Sequence, residues 1–135
     1  MNGNEQNSAH ADAAIKGLGD SGIRGVFAYG YSIMPGAAKD PAEQERHAAD
    51  IERVKAQYFR SDDQLMTMAI SGRDPLATPE AAFADIRLAR ELGLRTTIHA
   101  TRPGTVAALE RAGLLGPDIT CVHTSGAEST DEEYQ

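Results

Sequence analysis

The feature that most constrains this chain is a repeated unit: a helix-length segment, a glycine that stops it, and a short apolar run. Leu92-Gly93-Leu94-Arg95-Thr96-Thr97-Ile98-His99 leaves one such helix and ends in histidine. Gly116-Pro117-Asp118-Ile119-Thr120-Cys121-Val122-His123 repeats the plan one helix later. Apolar runs with little polar alternation suit strands covered on both faces, as in parallel sheets. Strands alternating with helices at this spacing predict such a sheet. Parallel crossovers bring the C-terminal ends of neighbouring strands to one rim, where α/β barrels carry out their chemistry.

The same unit is legible upstream. Ala11, Ala14, Ile15 and Leu18 recur at helical spacing, and Gly19-Asp20-Ser21-Gly22 stops that helix. Ile23 to Tyr29 reads as a buried strand bounded by Gly30, and Ser32 to Lys39 as a loop on the site side. Asp40-Pro41-Ala42-Glu43 predicts a helix start, with Ala48, Ile51, Val54 and Tyr58 as the buried stripe. Leu65 to Ile70 is the next strand. Thr78-Pro79-Glu80 opens a helix with Thr78 as cap, carrying Ala82, Phe83, Ile86 and Ala89 on one face. Leu94–His99, a helix from Thr105 to Ala112 and Ile119–His123 complete the order α, β, α, β, α, β, α, β. The fold class expected is α/β, with about four parallel strands and covering helices: a small open sheet or part of a (β/α)8 TIM barrel.

Both ends bear on that choice. Thr130-Asp131-Glu132-Glu133 has capping-box form, yet the chain stops at Gln135. At the other end the pattern opens on a helix with no strand before it. The expectation is a loose polar N-terminus over residues 1–8 and, over 9–135, a partial barrel domain truncated at both ends, with a concave face partly bare.

Composition excludes several function classes. The formal charge is −7 and no Lys/Arg cluster stands out, which argues against a nucleic-acid surface or anionic lipid. The single cysteine, Cys121, rules out an intramolecular disulfide framework and fits a reducing compartment. No apolar run approaches the roughly 18 residues of a membrane span, and Met1 to Asn7 lacks the features of a signal peptide. The expected location is therefore cytoplasmic.

His99 and His123 are the candidate site. Neutral imidazole is a common ligand of divalent metals, and a second histidine can instead hold a metal-bound water or polarise a substrate. Side chains alternate along a strand, so His99 brings Thr97 to its face and sends Thr96 and Ile98 toward the helices; the same rule groups Cys121 and Ile119 with His123. The blander reading, two hydrogen-bonded histidines at strand ends, stays open. His10 and His47 read as solvated helix residues and Cys121 as a small core residue. Asp74, after a strand, is a secondary site candidate. Asp118, before its strand, reads as structural.

His10-Ala11-Asp12-Ala13-Ala14-Ile15, Ser21 to Ala28, Ala89 to His99 and Ala112 to His123 together resemble the metal-dependent amidohydrolases. The resemblance is to the cytosine deaminase-like and triazine chlorohydrolase-like branch, and it covers nearly the whole chain. It implies a (β/α)8 barrel with one zinc or iron ion and metal-activated water that hydrolyses a non-peptide C–N bond or displaces another leaving group. The implied substrate is a small molecule such as an N-heterocycle or amine. By resemblance, His99 matches the fifth-strand metal ligand, and His123 the sixth-strand histidine that contacts the attacking water or substrate. The family's first-strand His-x-His pair and eighth-strand Asp have no counterpart here. Its proton-shuttle Glu is replaced by Arg102, which cannot accept a proton at neutral pH. The chain alone is therefore expected to bind zinc weakly and turn over no substrate. A second reading is a non-catalytic α/β remnant that binds a ligand or partner; a third pairs two half-barrels as a homo-oligomer.

Overall fold

The computed structural model describes the backbone of residues 2–4 and all of residues 8–31 and 41–124. The loop at 32–39, the Asp40 cap and the capping box at Thr130 lie outside the described residues. The element order is β1 (Asn2–Asn4), α1 (Ser8–Asp20), β2 (Gly25–Gly30), α2 (Pro41–Tyr58), β3 (Met66–Gly72), α3 (Pro79–Glu91), β4 (Arg95–His99), α4 (Thr105–Arg111) and β5 (Ile119–Val122). The fold class is α/β with parallel strands, as the alternation predicts. Two compact units make up the chain, Met1–Ser71 and Gly72–Gln135.

In the first unit, β1, β2 and β3 are parallel neighbours in chain order. β1 falls within the stretch expected to be loose. Asn2, Gly3 and Asn4 pair with Ala28, Tyr29 and Gly30. Parallel pairing draws on backbone amides and carbonyls, so a polar stretch without apolar patterning still completes a ladder. Register sets Phe27 beside Met68 and Tyr29 beside Ile70, all buried. On that face Phe27 stacks on Phe59, just past the end of α2, with ring centroids 6.2 Å apart.

His47 departs from the expectation. It is 8 % exposed, not solvated, and its ring meets Tyr29 edge-on at 4.9 Å. It lies four residues before Ile51 and seven before Val54, on their buried stripe. Arg53 binds Asp12 of α1 at 2.9 Å and Asp50 of α2 at 2.6 Å, stapling the two helices. Asp50 also accepts the Tyr29 hydroxyl hydrogen bond. Burial raises the Asp50 pKa, but hydrogen bonds from Arg53, Tyr29 and Ser8 outweigh it and hold the carboxyl below its ordinary value.

In the second unit, β4 and β5 are parallel, with Thr96, Thr97, Ile98 and His99 beside Ile119, Thr120, Cys121 and Val122. Ile98, Ile86 of α3, Leu109 of α4 and Leu114 form one buried cluster, against which Phe83, Ile119 and Cys121 pack. Both helices therefore cover the same face of the strand pair. α3 and α4 end alike. Gly93 and Gly113 adopt left-handed φ of 66° and 65°. Leu94 N–H donates to Ala89 O at 2.7 Å and Leu114 N–H to Leu109 O at 2.9 Å. These are Schellman closures, in which only glycine takes the left-handed position without strain. The second one also seats Leu114 against Leu109, so the glycine that ends the helix helps build the core.

Thr78 makes no side-chain cap to α3, contrary to expectation. Its hydroxyl turns back to the Asp74 carbonyl, and the loop is held by Arg73 instead. Arg73, 8 % exposed, grips Asp85, 1 % exposed, through Nε at 2.9 Å and Nη2 at 2.6 Å. The Arg73 main-chain N–H also donates to Asp85, at 3.0 Å.

Candidate functional site

The histidines lie at the C-terminal end of the β4–β5 pair. The ladder continues past His99, with Ala100 N–H donating to Val122 O at 2.8 Å. The His99 and His123 rings have centroids 5.3 Å apart and planes inclined by 28°. The strands are parallel and the two imidazoles share one rim.

How His123 reaches that position differs from the alternation argument. Cys121 pairs with Ile98, and Ile119 and Cys121 pack on the helix-side cluster. They do not share a face with His99, and strict alternation would send His123 to the helix side with them. The strand instead ends at Val122, and His123 takes a φ of 69°, the one described non-glycine residue in the left-handed region. For a residue of this size that conformation costs on the order of 1–3 kcal/mol and is characteristic of functional sites. This break in the strand accompanies the ring-to-ring approach to His99. His99 is half-buried and His123 exposed.

Thr97 shares the His99 face, two residues earlier. Its hydroxyl oxygen is shielded yet has no hydrogen-bond partner. Thr96, on the opposite face and fully buried, also has an unpartnered hydroxyl.

Asp74 and Arg102, from the loops after β3 and β4, bind each other. Arg102 Nε and Nη2 donate to Asp74 Oδ2 at 2.9 and 2.5 Å. Asp74 Oδ1 also accepts the Leu76 N–H, at 2.8 Å. Asp74 is thus held in an ion pair and a turn.

At the other end of the strands, Arg90 grips Asp118 at 2.7 and 3.2 Å and donates to Leu114 O at 2.7 Å. The Arg90 guanidinium holds the Asp118 carboxyl below its ordinary value, in keeping with a structural role. Arg90, Gly93, Leu94, Arg95, Pro117 and Asp118 line an open cavity of about 430 Å³ there.

A catalytic zinc takes three protein ligands and keeps one position open. Among the described residues no group of three or more His, Cys, Asp or Glu is placed to hold a metal. His99 and His123 fit part of such a donor set. Cys121 packs toward the helices. His10 is exposed on α1 and His47 belongs to the first unit. Arg73 and Asp85, which anchor the loop carrying Asp74, escaped sequence reasoning. The available signal was an acid on the α3 stripe of Ala82, Ile86 and Ala89, where a carboxylate requires a partner.

No protein-family model, curated protein or solved structure matches this chain. Among the described residues, no helix is long and apolar enough to cross a membrane.

Proposed function

We propose that this chain carries part of the catalytic rim of a metal-dependent hydrolase acting on non-peptide C–N bonds, of the deaminase or chlorohydrolase type. The observation that carries the reading is the His99–His123 pair: two imidazoles 5.3 Å apart at the C-terminal ends of adjacent parallel strands. The winding agrees with a partial (β/α)8 barrel. In the second unit both helices lie on one face of the β4–β5 pair, as they do in a stretch of a barrel and equally within one half of a doubly wound sheet. The resemblance of the two histidine segments to the amidohydrolases points the same way.

On this reading His99 would hold a zinc or iron ion, and His123 would orient a water or a substrate group. When bound, such an ion supplies a water nucleophile at neutral pH. Arg102 has no proton-accepting role, and its guanidinium fastens the β4 loop to Asp74. Zinc titration of the whole chain by calorimetry tests the proposal. Weak binding is expected, lost in His99→Ala and reduced in His123→Ala, with no hydrolysis of cytosine or a chlorotriazine. Zinc affinity unchanged in both variants would sink it. The Arg102–Asp74 pair favours a second reading, a non-catalytic α/β module that binds a small ligand at the same rim; that reading predicts ligand binding without zinc.

A further inference from the structure

We infer that Thr97 is a ligand-binding residue of the histidine rim, its hydroxyl and the His99 imidazole holding one oxygen atom between them. The inference rests on the reading of this rim as a site, but not on a metal being there. The Thr97 oxygen is shielded and has no hydrogen-bond partner. A buried hydroxyl without a partner carries a desolvation penalty, and the large majority of buried polar side-chain atoms in folded proteins bond protein, water or ligand. Strand alternation places Thr97 on the His99 face. Residues two apart on a strand are separated by about 6.5 Å. One oxygen making two hydrogen bonds of about 2.8 Å each at a tetrahedral angle bridges two atoms about 4.5 Å apart, a gap that side chains at neighbouring positions of one face can close by leaning together. The guest is thus a single oxygen, from water or from a substrate hydroxyl or carboxylate.

Thr96 supplies an internal control. Its hydroxyl is equally unpartnered, but it faces the helices in a fully buried position with no histidine on its side. If Thr97 were merely another imperfect core hydroxyl, the two residues would respond alike to substitution by valine.

Acetate, a minimal carboxylate, is the probe, titrated into the full chain without metal and followed by backbone amide shifts. Wild-type protein should show saturable shifts at Thr97 and His99. Thr97→Val should weaken acetate binding about threefold to tenfold, the effect of one hydrogen bond. Thr97→Ser and Thr96→Val should leave it unchanged. Equal acetate affinity in Thr97→Val and wild type, or no shift at Thr97 in wild type, overturns the inference. So does a crystal structure in which the Thr97 hydroxyl donates to a main-chain carbonyl. A crystal structure with an oxygen between Thr97 and His99 supports it, and the acetate soaks and acetate-free crystals tell carboxylate from water. Thr97-dependent acetate binding in a chain that takes up no zinc would leave the inference standing and remove the metal from the proposed function. Zinc uptake with no effect of Thr97→Val would do the reverse.

Discussion

Arg73 and Asp74 are neighbours in one loop, and each forms an Arg–Asp ion pair, yet the two pairs do different work. Arg73–Asp85 is buried, with side chains 8 % and 1 % exposed; Arg102–Asp74 lies open, at 48 % and 31 %. Water decides the difference. A buried charge that loses its partner has nothing to replace it, whereas an exposed one is re-solvated and screened by salt. The buried pair anchors the base of the loop to α3. The open pair joins the loops after β3 and β4, and water can replace either partner at low cost. Proximity in sequence therefore says little about energetic weight.

The largest expected effect breaks the buried pair. Asp85→Ala should destabilise the chain by about 3–5 kcal/mol in chemical denaturation. A loss under about 1 kcal/mol would put the buried pair in the same class as the exposed one.

The Asp50 network in the first unit comes next. Asp50→Asn weakens the hydrogen bonds from Tyr29 and Arg53 and should cost about 1–3 kcal/mol at neutral pH. The pH dependence has a definite sign. The folded pKa of Asp50 lies below its ordinary value of 3.8, so its contribution is complete above that value and is lost as pH falls through the folded one. Denaturation midpoints measured from pH 6 downward should converge for wild type and Asp50→Asn. Midpoints that stay parallel would mean that the carboxylate charge contributes nothing.

Thr96→Val should act in the opposite direction, stabilising by about 1 kcal/mol, because it removes an unpartnered hydroxyl from a dry core without altering its shape. A destabilised variant would mean that Thr96 has a partner.

Smallest of all, Arg102→Gln should change stability by less than about 1 kcal/mol, and raising the salt concentration should shrink even that. A larger, salt-independent loss would place the open pair in the same class as the buried one.

Much of the architecture could be read along the chain. Gly93 and Gly113 announced helix ends, Pro41 and Pro79 helix starts, and the elements from α1 to β5 emerged within a residue or two of their bounds. The rim histidines could be read for the same reason, because parallel topology carries consecutive strand ends to one side. The misreadings have more than one cause. His47 sits on the buried stripe of α2 although its polarity suggests exposure, and Asp85, about which the sequence reading says nothing, sits on that of α3. The stripe position was the better guide, since a polar residue there must find a partner. Ile119 and Cys121 were grouped with His123 because alternation was assumed to run through the strand end.

What the amino-acid order determined by itself is local: where helices stop, which short runs extend, and that two of them end in imidazole. Only tertiary structure decided which polar groups are spent and which are left over. Arg73 is consumed by Asp85, and Tyr29 binds Asp50, while the Thr97 hydroxyl remains without a partner. Hydrogen bonds join residues far apart in sequence, and their strength depends on exclusion of water, a property of the packed chain. The left-handed turn at His123 belongs to the same category, because backbone strain persists only where the surrounding structure holds it.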